Sequence, residues 1–268
     1  MKLRYQHILA LMVASAGITS MFGQKVFQPK PVEYNLKGVV FSEETVFEVR
    51  AHTQGFAIGF KKGKLKSYYR TTYFGLEFGY IKDGRERRRN KNLSISGEGL
   101  SSPFIYGKRN QLFNFRFSMG EKRYLSEKTR RRGLAVGVIY EGGASLALLK
   151  PYYVRVIRTE ADRVTQRLED IKYSEDNHDD FLNDEIIYGG TNFFKGFTEL
   201  SPRVGLHGKL GMHWALGAFD KQVKAAEAGL MVDIYPGNIP LLVERNEISN
   251  SFYFAKLYIS FQFGKRKL

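Results

Sequence analysis

The chain has 268 residues, a formal net charge of +15 and no cysteine. The missing thiols exclude a disulfide framework and a lipid-anchoring cysteine. Aromatic side chains make up 14% of a chain that also holds 27 glycines, a β-rich profile. The basic balance favours anionic partners, which for an exported chain are lipid phosphates rather than nucleic acid.

Residues 1–23 read as a secretory signal. Lys2 and Arg4 are the basic start, Ile8 to Ile18 the short apolar stretch, and small residues precede Gly23-Gln24. That stretch is too short to span a bilayer comfortably. Residues 24–268 suit one domain. No run of 18 apolar residues within them marks a transmembrane helix. What remains is a soluble β-sandwich or an outer-membrane barrel.

In chain order, "YNLKGVVF" (34–41) is a weakly patterned strand. Region 45–62 alternates but changes phase near "HTQG": Phe47 and Val49 are apolar at odd positions, Phe56, Ile58 and Phe60 at even ones. Gly55 suggests a β-bulge at the slip. In 67–82, Tyr68, Phe74, Leu76, Phe78 and Tyr80 share a face opposite Tyr73 and Glu77. Tyr68 to Tyr80 covers roughly 40 Å of strand at ~3.3 Å per residue, or about 28 Å along a membrane normal at ~45° tilt, close to the spacing of barrel girdles.

Strand 110–124 sets Phe113, Phe115, Phe117 and Met119 against Asn114, Arg116 and Ser118. Strand 133–157 sets Tyr140, Ala144 and Leu146 against Glu141, Gly143 and Ser145, with its register running on through Tyr152, Val154 and Val156. In 200–219, Val204, Leu206, Leu210, Met212, Trp214 and Leu216 oppose Arg203, His207, Lys209 and His213. Strand 222–236 opposes Leu230 and Ile234 to Glu227, Asp233 and Tyr235. Strand 251–264 opposes Leu257, Ile259, Phe261 and Phe263 to Lys256, Tyr258, Ser260 and Gln262.

Girdle spacing, glycine-rich polar faces and charges alternating with apolar residues on almost every strand favour the membrane barrel, greasy outside and polar within. The expected fold is all-β: a single antiparallel up-and-down transmembrane barrel of about eight strands, with ten as the alternative. Connections at 63–66, 125–132 and 220–221 are short. Those at 83–109, 158–199 and 237–250 are long and external. If the last strand ends in the periplasm, 45–62 runs downward, and 34–41 must supply the upward eighth strand. The bacterial outer membrane is the expected location.

The external segment 158–199 carries ten carboxylates between Glu160 and Glu185 against Arg163, Arg167 and Lys172. A solvated acidic loop is the plain reading. Divalent-cation binding by Glu175, Asp176, Asp179 and Asp180 is the sharper one, although their spacing does not match an EF-hand. "IYGGTNFFKGF" is too aromatic for a free loop, and is expected on the rim or in the lumen. Basic runs at 61–66, 84–92 and 127–132 and at the terminal "KRKL" read as solvated turns, or as contacts to lipopolysaccharide phosphates or an acidic partner.

The inward set is Glu48, Arg50, His52, Glu77, Arg116, Glu141, Arg155, Arg203, His207, Lys209, His213, Glu227, Asp233 and Lys256. An eight-stranded barrel is filled by its side chains. His207, Lys209 and His213 are therefore expected to face Glu227 and Asp233 across the hairpin, in a structural network that blocks a channel. A catalytic reading gives His207, His213 and Asp233 acid/base roles, but no G-x-S-x-G nucleophile motif is present and Ser145 lacks a placed base. No cofactor is expected.

The signal ending in Gly23-Gln24, "HTQGFAIGF", "YFGLEFGYIKDGRE", "EGGASLALLKPYY", "YGGTNFFKGF" and "LYISFQFGKR" resemble small outer-membrane β-barrel proteins of Bacteroidota, the PorT-like proteins. The resemblance covers the whole mature chain and implies location and fold, with no active-site residues to carry over. The leading expectation is a non-enzymatic barrel assisting envelope assembly or secretion, with membrane lipid, lipopolysaccharide and other envelope or secretion proteins as partners. A small lipid- or peptide-modifying enzyme and a narrow pore are the alternatives.

Overall fold

The computed structural model describes residues 41–67, 69–94, 99–125, 134–159, 166–216, 221–245 and 249–268. Residues 1–23, the expected strand 34–41 apart from Phe41, and Tyr68 lie outside them. Eight strands close into an antiparallel barrel: β1 (Glu43–His52), β2 (Gly55–Ser67), β3 (Arg70–Ile81), β6 (Asn110–Tyr124), β7 (Leu134–Pro151), β11 (Ser201–Leu216), β12 (Gln222–Ile234) and β13 (Tyr253–Lys267). Each pairs with its neighbour in sequence, and β13 closes onto β1. Outside the wall lie the short pair β4 (Arg88–Arg89) and β5 (Phe104–Ile105), and a three-stranded sheet of β8 (Tyr153–Thr159), β9 (Gln166–Lys172) and β10 (Ile187–Gly190).

The register fixes the stagger. From Glu43 it runs through Lys64, Thr72, Glu121, Tyr140, Leu210, Leu230 and Leu257. It returns to β1 at Thr53, whose N–H donates to Leu257 O at 3.0 Å. One circuit therefore climbs ten residues, from 43 to 53. Such a shear tilts the strands and sets the bore, which at eight strands is just wide enough for side chains to fill.

The alternation expands into two surfaces. Phe47, Ile58, Leu76, Phe115, Leu210 and Phe261 are among the large apolar side chains exposed on the outer wall. On β13, the outward residues Tyr253 to Phe263 cover roughly 25 Å of barrel height at ~3.3 Å per residue and ~40° tilt, matching a membrane-barrel apolar band. The inward face is buried and largely ionic.

Three connections differ from the sequence reading. The phase slip at "HTQG" is a hairpin turn: β1 ends at His52 and β2 begins at Gly55. Gly55 has φ +146°, and a Cβ there would lie 2.1 Å from Tyr80 O, so only glycine fits. The eighth strand is therefore β1 itself, running toward the long connections, and 61–66 is strand rather than turn. The third difference is a break at Tyr152 in the long strand expected over 133–157. Pro151 has no N–H to donate and is the last residue of β7 paired with β6. Beyond it the chain leaves the wall, and β8 pairs with β9 and β10.

The three long connections, 82–109, 152–200 and 235–252, leave one end of the barrel together with the tight turn at 53–54. At this end an apolar plug fills the mouth. Ile81, Leu112, Ala147, Leu149 and Phe254 face inward from the wall and pack with Tyr235, Ile239 and Leu241 of the 235–252 connection. Asn250 clamps that connection: its Oδ1 accepts from Leu241 N–H (3.0 Å) and Leu242 N–H (3.2 Å), and its Nδ2 donates to Leu242 O (2.9 Å). Toward the other end, Tyr124 packs with Ala135, Ala215 and Ala225. Above the mouth, the outer sheet has its own core of Phe104, Val154, Val156, Ile171, Phe181, Ile187 and Val243.

Candidate functional site

Between the two apolar layers lies a continuous ion network, built by cross-strand register. His207 is paired in the ladder with Asp233, His213 with Glu227, Lys209 with Glu141 and Glu77 with Arg116. Since alternate side chains point inward, each of these pairings delivers opposite partners to the lumen. Arg116 grips Asp233 with Nε and Nη2, both at 2.7 Å, and also pairs with Glu77. Lys256 Nζ lies 2.5 Å from Asp233 Oδ2. Arg50 bridges Glu48 (Nε to Oε1, 3.0 Å) and Glu77. Lys209 Nζ lies 2.9 Å from Glu141 and 3.6 Å from Glu227. Lys61 Nζ lies 2.5 Å from Glu48 and 3.7 Å from both Glu141 and Glu227.

His213 Nδ1 is 3.0 Å from Glu227 Oε1, and its Nε2 is 3.4 Å from Tyr124 OH. His207 lies between Glu141 (3.5 Å) and Asp233 (3.4 Å). Nearer the short-turn end, Glu44 accepts from Lys122 (2.6 Å) and Arg266 (2.8 Å). Buried charges are costly unless paired; each charged group named here lies within ion-pair distance of an opposite charge, Lys61 and Lys209 by ion pairing alone, without a hydrogen bond. A void lined by Glu44, Lys61, Tyr73, Lys122, Glu227 and Gln262 measures about 10 Å³, room for one water.

Two expected lumen residues lie elsewhere. Arg203 is exposed: β11 pairs with β7 from Ser201 onward, but with β12 only from Leu206, so Arg203 stands on a strand end above the closed wall. Arg155 belongs to the outer sheet, where its Nε bonds Asp170 at 2.8 Å. Sequence reading missed Glu44, Lys61, Lys122 and Arg266, all buried in the lumen. Lys61 keeps phase with Ala57 and Gly59 once the turn at Gly55 is seen, and Arg266 keeps phase with Ser260 and Gln262.

The catalytic candidates do not assemble into one group. His213 serves Glu227, while His207 and Asp233 are held with Glu141, Arg116 and Lys256; His213 and Asp233 are both 0% exposed. Ser145 Oγ is 2.8 Å from Asn114 Oδ1, 2.9 Å from Tyr235 OH and 3.4 Å from Asp233 Oδ1, so its hydrogen-bonding neighbours are an amide, a phenol and an ion-paired carboxylate rather than a histidine. Gly143 permits this packing: a Cβ there would lie 2.0 Å from Phe117 O.

Outside the barrel, Glu175, Asp176 and Asp179 are exposed and Asp180 pairs with Arg158 at 2.8 Å. Among the described residues no group of three or more histidines and carboxylates converges on a metal position. Asn177 makes "SEDNHDD" a defined turn, accepting from Ser174 N–H and donating to Lys172 O, both at 2.8 Å. Partial burial pushes the Asp170 carboxyl up, but hydrogen bonds from Arg155 and Lys195 and their charges outweigh it and hold it below its ordinary value. Lys172, donating to Glu199, lowers that carboxyl as well.

The "TNFFKGF" segment packs on the rim. Phe193 and Phe197 lie 6.3 and 5.8 Å from the ring of Phe113 on the upper outer wall, while Phe194 is 75% exposed. Lys150 Nζ holds the segment by donating to Phe193 O and Lys195 O, both at 2.8 Å.

No family model and no curated protein matches the chain. Among solved structures it is similar to the N-terminal β-barrel domain of Pseudomonas aeruginosa OprF (9% identity, TM-score 0.32, 84% of this chain and 96% of that one). It is also similar to Ail, the attachment invasion locus protein of Yersinia pestis (7% identity, TM-score 0.36, 85% of this chain and 99% of that one).

Proposed function

We propose that the protein is an integral outer-membrane barrel, exported after removal of residues 1–23, with a non-enzymatic structural or accessory role in envelope assembly or secretion. The observation that carries this is the inversion of surfaces: exposed Phe, Leu and Ile side chains wrap a wall whose inside is ionic. Such a wall is stable only with hydrocarbon around it. The resemblance to PorT-like barrels of Bacteroidota belongs to the same reading. The long connections face the cell exterior, where the basic 82–91 stretch meets lipopolysaccharide phosphates. The outer sheet, with its own core, is the part a protein partner grips.

The filled lumen and plugged mouth support an anchor rather than a pore or an enzyme. Purification from detergent-solubilised membranes tests the accessory role: envelope or secretion proteins are expected to co-purify with the full chain and to be lost when 153–190 is replaced by a short loop. Steady single-channel conductance in a planar bilayer, or recovery of the chain alone under mild detergent, would overturn the proposal.

A further inference from the structure

The outer wall changes character abruptly at the short-turn end. On β2, β1 and β13 the ladder row Phe60, Phe47, Phe263 is wholly apolar. One step lower, Lys62 and Lys265 flank Thr45; one step lower again, Lys64 and Lys267 flank Glu43. On the adjacent strand β12, Lys224 points outward beside Phe263. With the ten-residue stagger spread over eight strands, Lys64, Lys265 and Lys224 stand at nearly one height, with Lys62 above them and Lys267 below. All five are exposed. Among the described residues of this sector the carboxylate between them is Glu43, 3.6 Å from Lys62.

Among the described residues of the outer wall, the patch is confined to one sector. On the far side of the barrel the same height carries Trp214, Leu216, Leu134 and Val136. On β3 and β6, Arg70 and Arg123 share Glu121, with Arg70 Nη2 to Oε2 at 2.6 Å, which leaves a smaller surplus of positive charge there than at the seam. Lysines in excess of their carboxylate therefore cluster across the seam where β13 closes onto β1.

Resting on the membrane reading above, we propose that this sector binds the headgroups of anionic phospholipids in the periplasmic leaflet, the leaflet at the short-turn end. The lysine stems lie along the lowest apolar row, and their ammonium groups reach the phosphate level, as snorkelling lysines do. Strands ~4.8 Å apart set Lys62 and Lys265, with Thr45 between them, about 10 Å from one another, a span that one diester headgroup and its neighbour fill. An uncharged or zwitterionic headgroup leaves this surplus of positive charge unbalanced; an anionic glycerophosphate neutralises it.

The test reconstitutes the full chain into nanodiscs of phosphatidylcholine with a minor share of phosphatidylglycerol and measures lipid in contact with the barrel by spin-labelled analogues. Wild type is expected to enrich phosphatidylglycerol about fivefold over the disc average. Changing Lys62, Lys64, Lys224, Lys265 and Lys267 to Gln abolishes the enrichment, changing them to Arg preserves it, and removing the external charges Lys82, Arg87 and Arg88 leaves it intact. The gel mobility of unboiled samples verifies that each variant is folded. Wild type showing no preference, or the external variant losing as much as the belt variant, overturns the proposal while leaving the membrane reading standing. A chain that does not enter the disc overturns both.

Discussion

Asp233 is the most heavily committed carboxylate of the lumen, and replacing it with Asn is the sharpest probe of the network. Its side chain is fully buried and accepts from Arg116 twice at 2.7 Å, from Lys256 at 2.5 Å and from Asn114 at 3.3 Å. Asp233→Asn preserves shape and removes the charge. Arg116 keeps Glu77, but Lys256 loses its only carboxylate within ion-pair distance among the described residues. Breaking a buried pair by removing one partner costs about 3–5 kcal/mol. Because one of the two cations retains a partner, the lower part of that range is expected. The assay is reversible urea unfolding in lipid vesicles, followed by the mobility difference between folded and unfolded barrel. Lys256→Met added to Asp233→Asn removes the stranded cation and is expected to recover part of the loss. A loss under about 1 kcal/mol, or a double variant no better than the single, would refute the view that these charges are held only by one another.

Gly55→Ala forces a side chain into a left-handed turn against Tyr80 O; a loss of about 1–3 kcal/mol is expected in the same unfolding assay, whereas a bulge tolerant of alanine would show none. Trp214, the single tryptophan, faces outward on β11; brominated lipids are expected to quench its fluorescence, and efficient quenching by aqueous iodide instead would contradict the outward greasy wall. The Asp170 carboxyl is held below its ordinary 3.8, so its contribution to the outer sheet is present above that value and lost as pH falls through the lower, folded one. Amide exchange in 166–200 is expected to rise sharply below about pH 4, and Asp170→Asn to show the faster exchange already at neutral pH with little further change on acidification. An unaltered pH profile in that variant would assign the effect to other groups.

The wall was legible because two-residue periodicity survives in nearly every strand. His207, Lys209 and His213 could be matched to Glu227 and Asp233 from one hairpin register alone. What escaped were features set by chain turns and strand ends. The change of phase at Gly55 has two readings, an inserted residue or a reversal, and local sequence looks the same for both. A bulge makes one strand of what are two and so requires a further strand at 34–41, while reading the basic run 61–66 as a solvated turn leaves Lys61 out of the lumen. Arg203 has the right parity but stands beyond the reach of β12, a limit set by strand-end geometry rather than alternation. The plug was invisible for another reason: Ile239 and Leu241 lie in a proline-containing stretch without period, and only the fold brings them to Ile81 and Leu112.

The union of β1 with β13 has a consequence for biogenesis. Glu44 and Arg266, 222 positions apart in the chain, meet only once that junction zips. Until then the nascent curved sheet has two raw margins, each a row of unused amide and carbonyl groups able to recruit foreign strands. Contacts so remote in sequence form slowly. Maturation is therefore gated by how long those margins stay shielded, which makes the junction the place where an assembly machine or a misfolding trap would act.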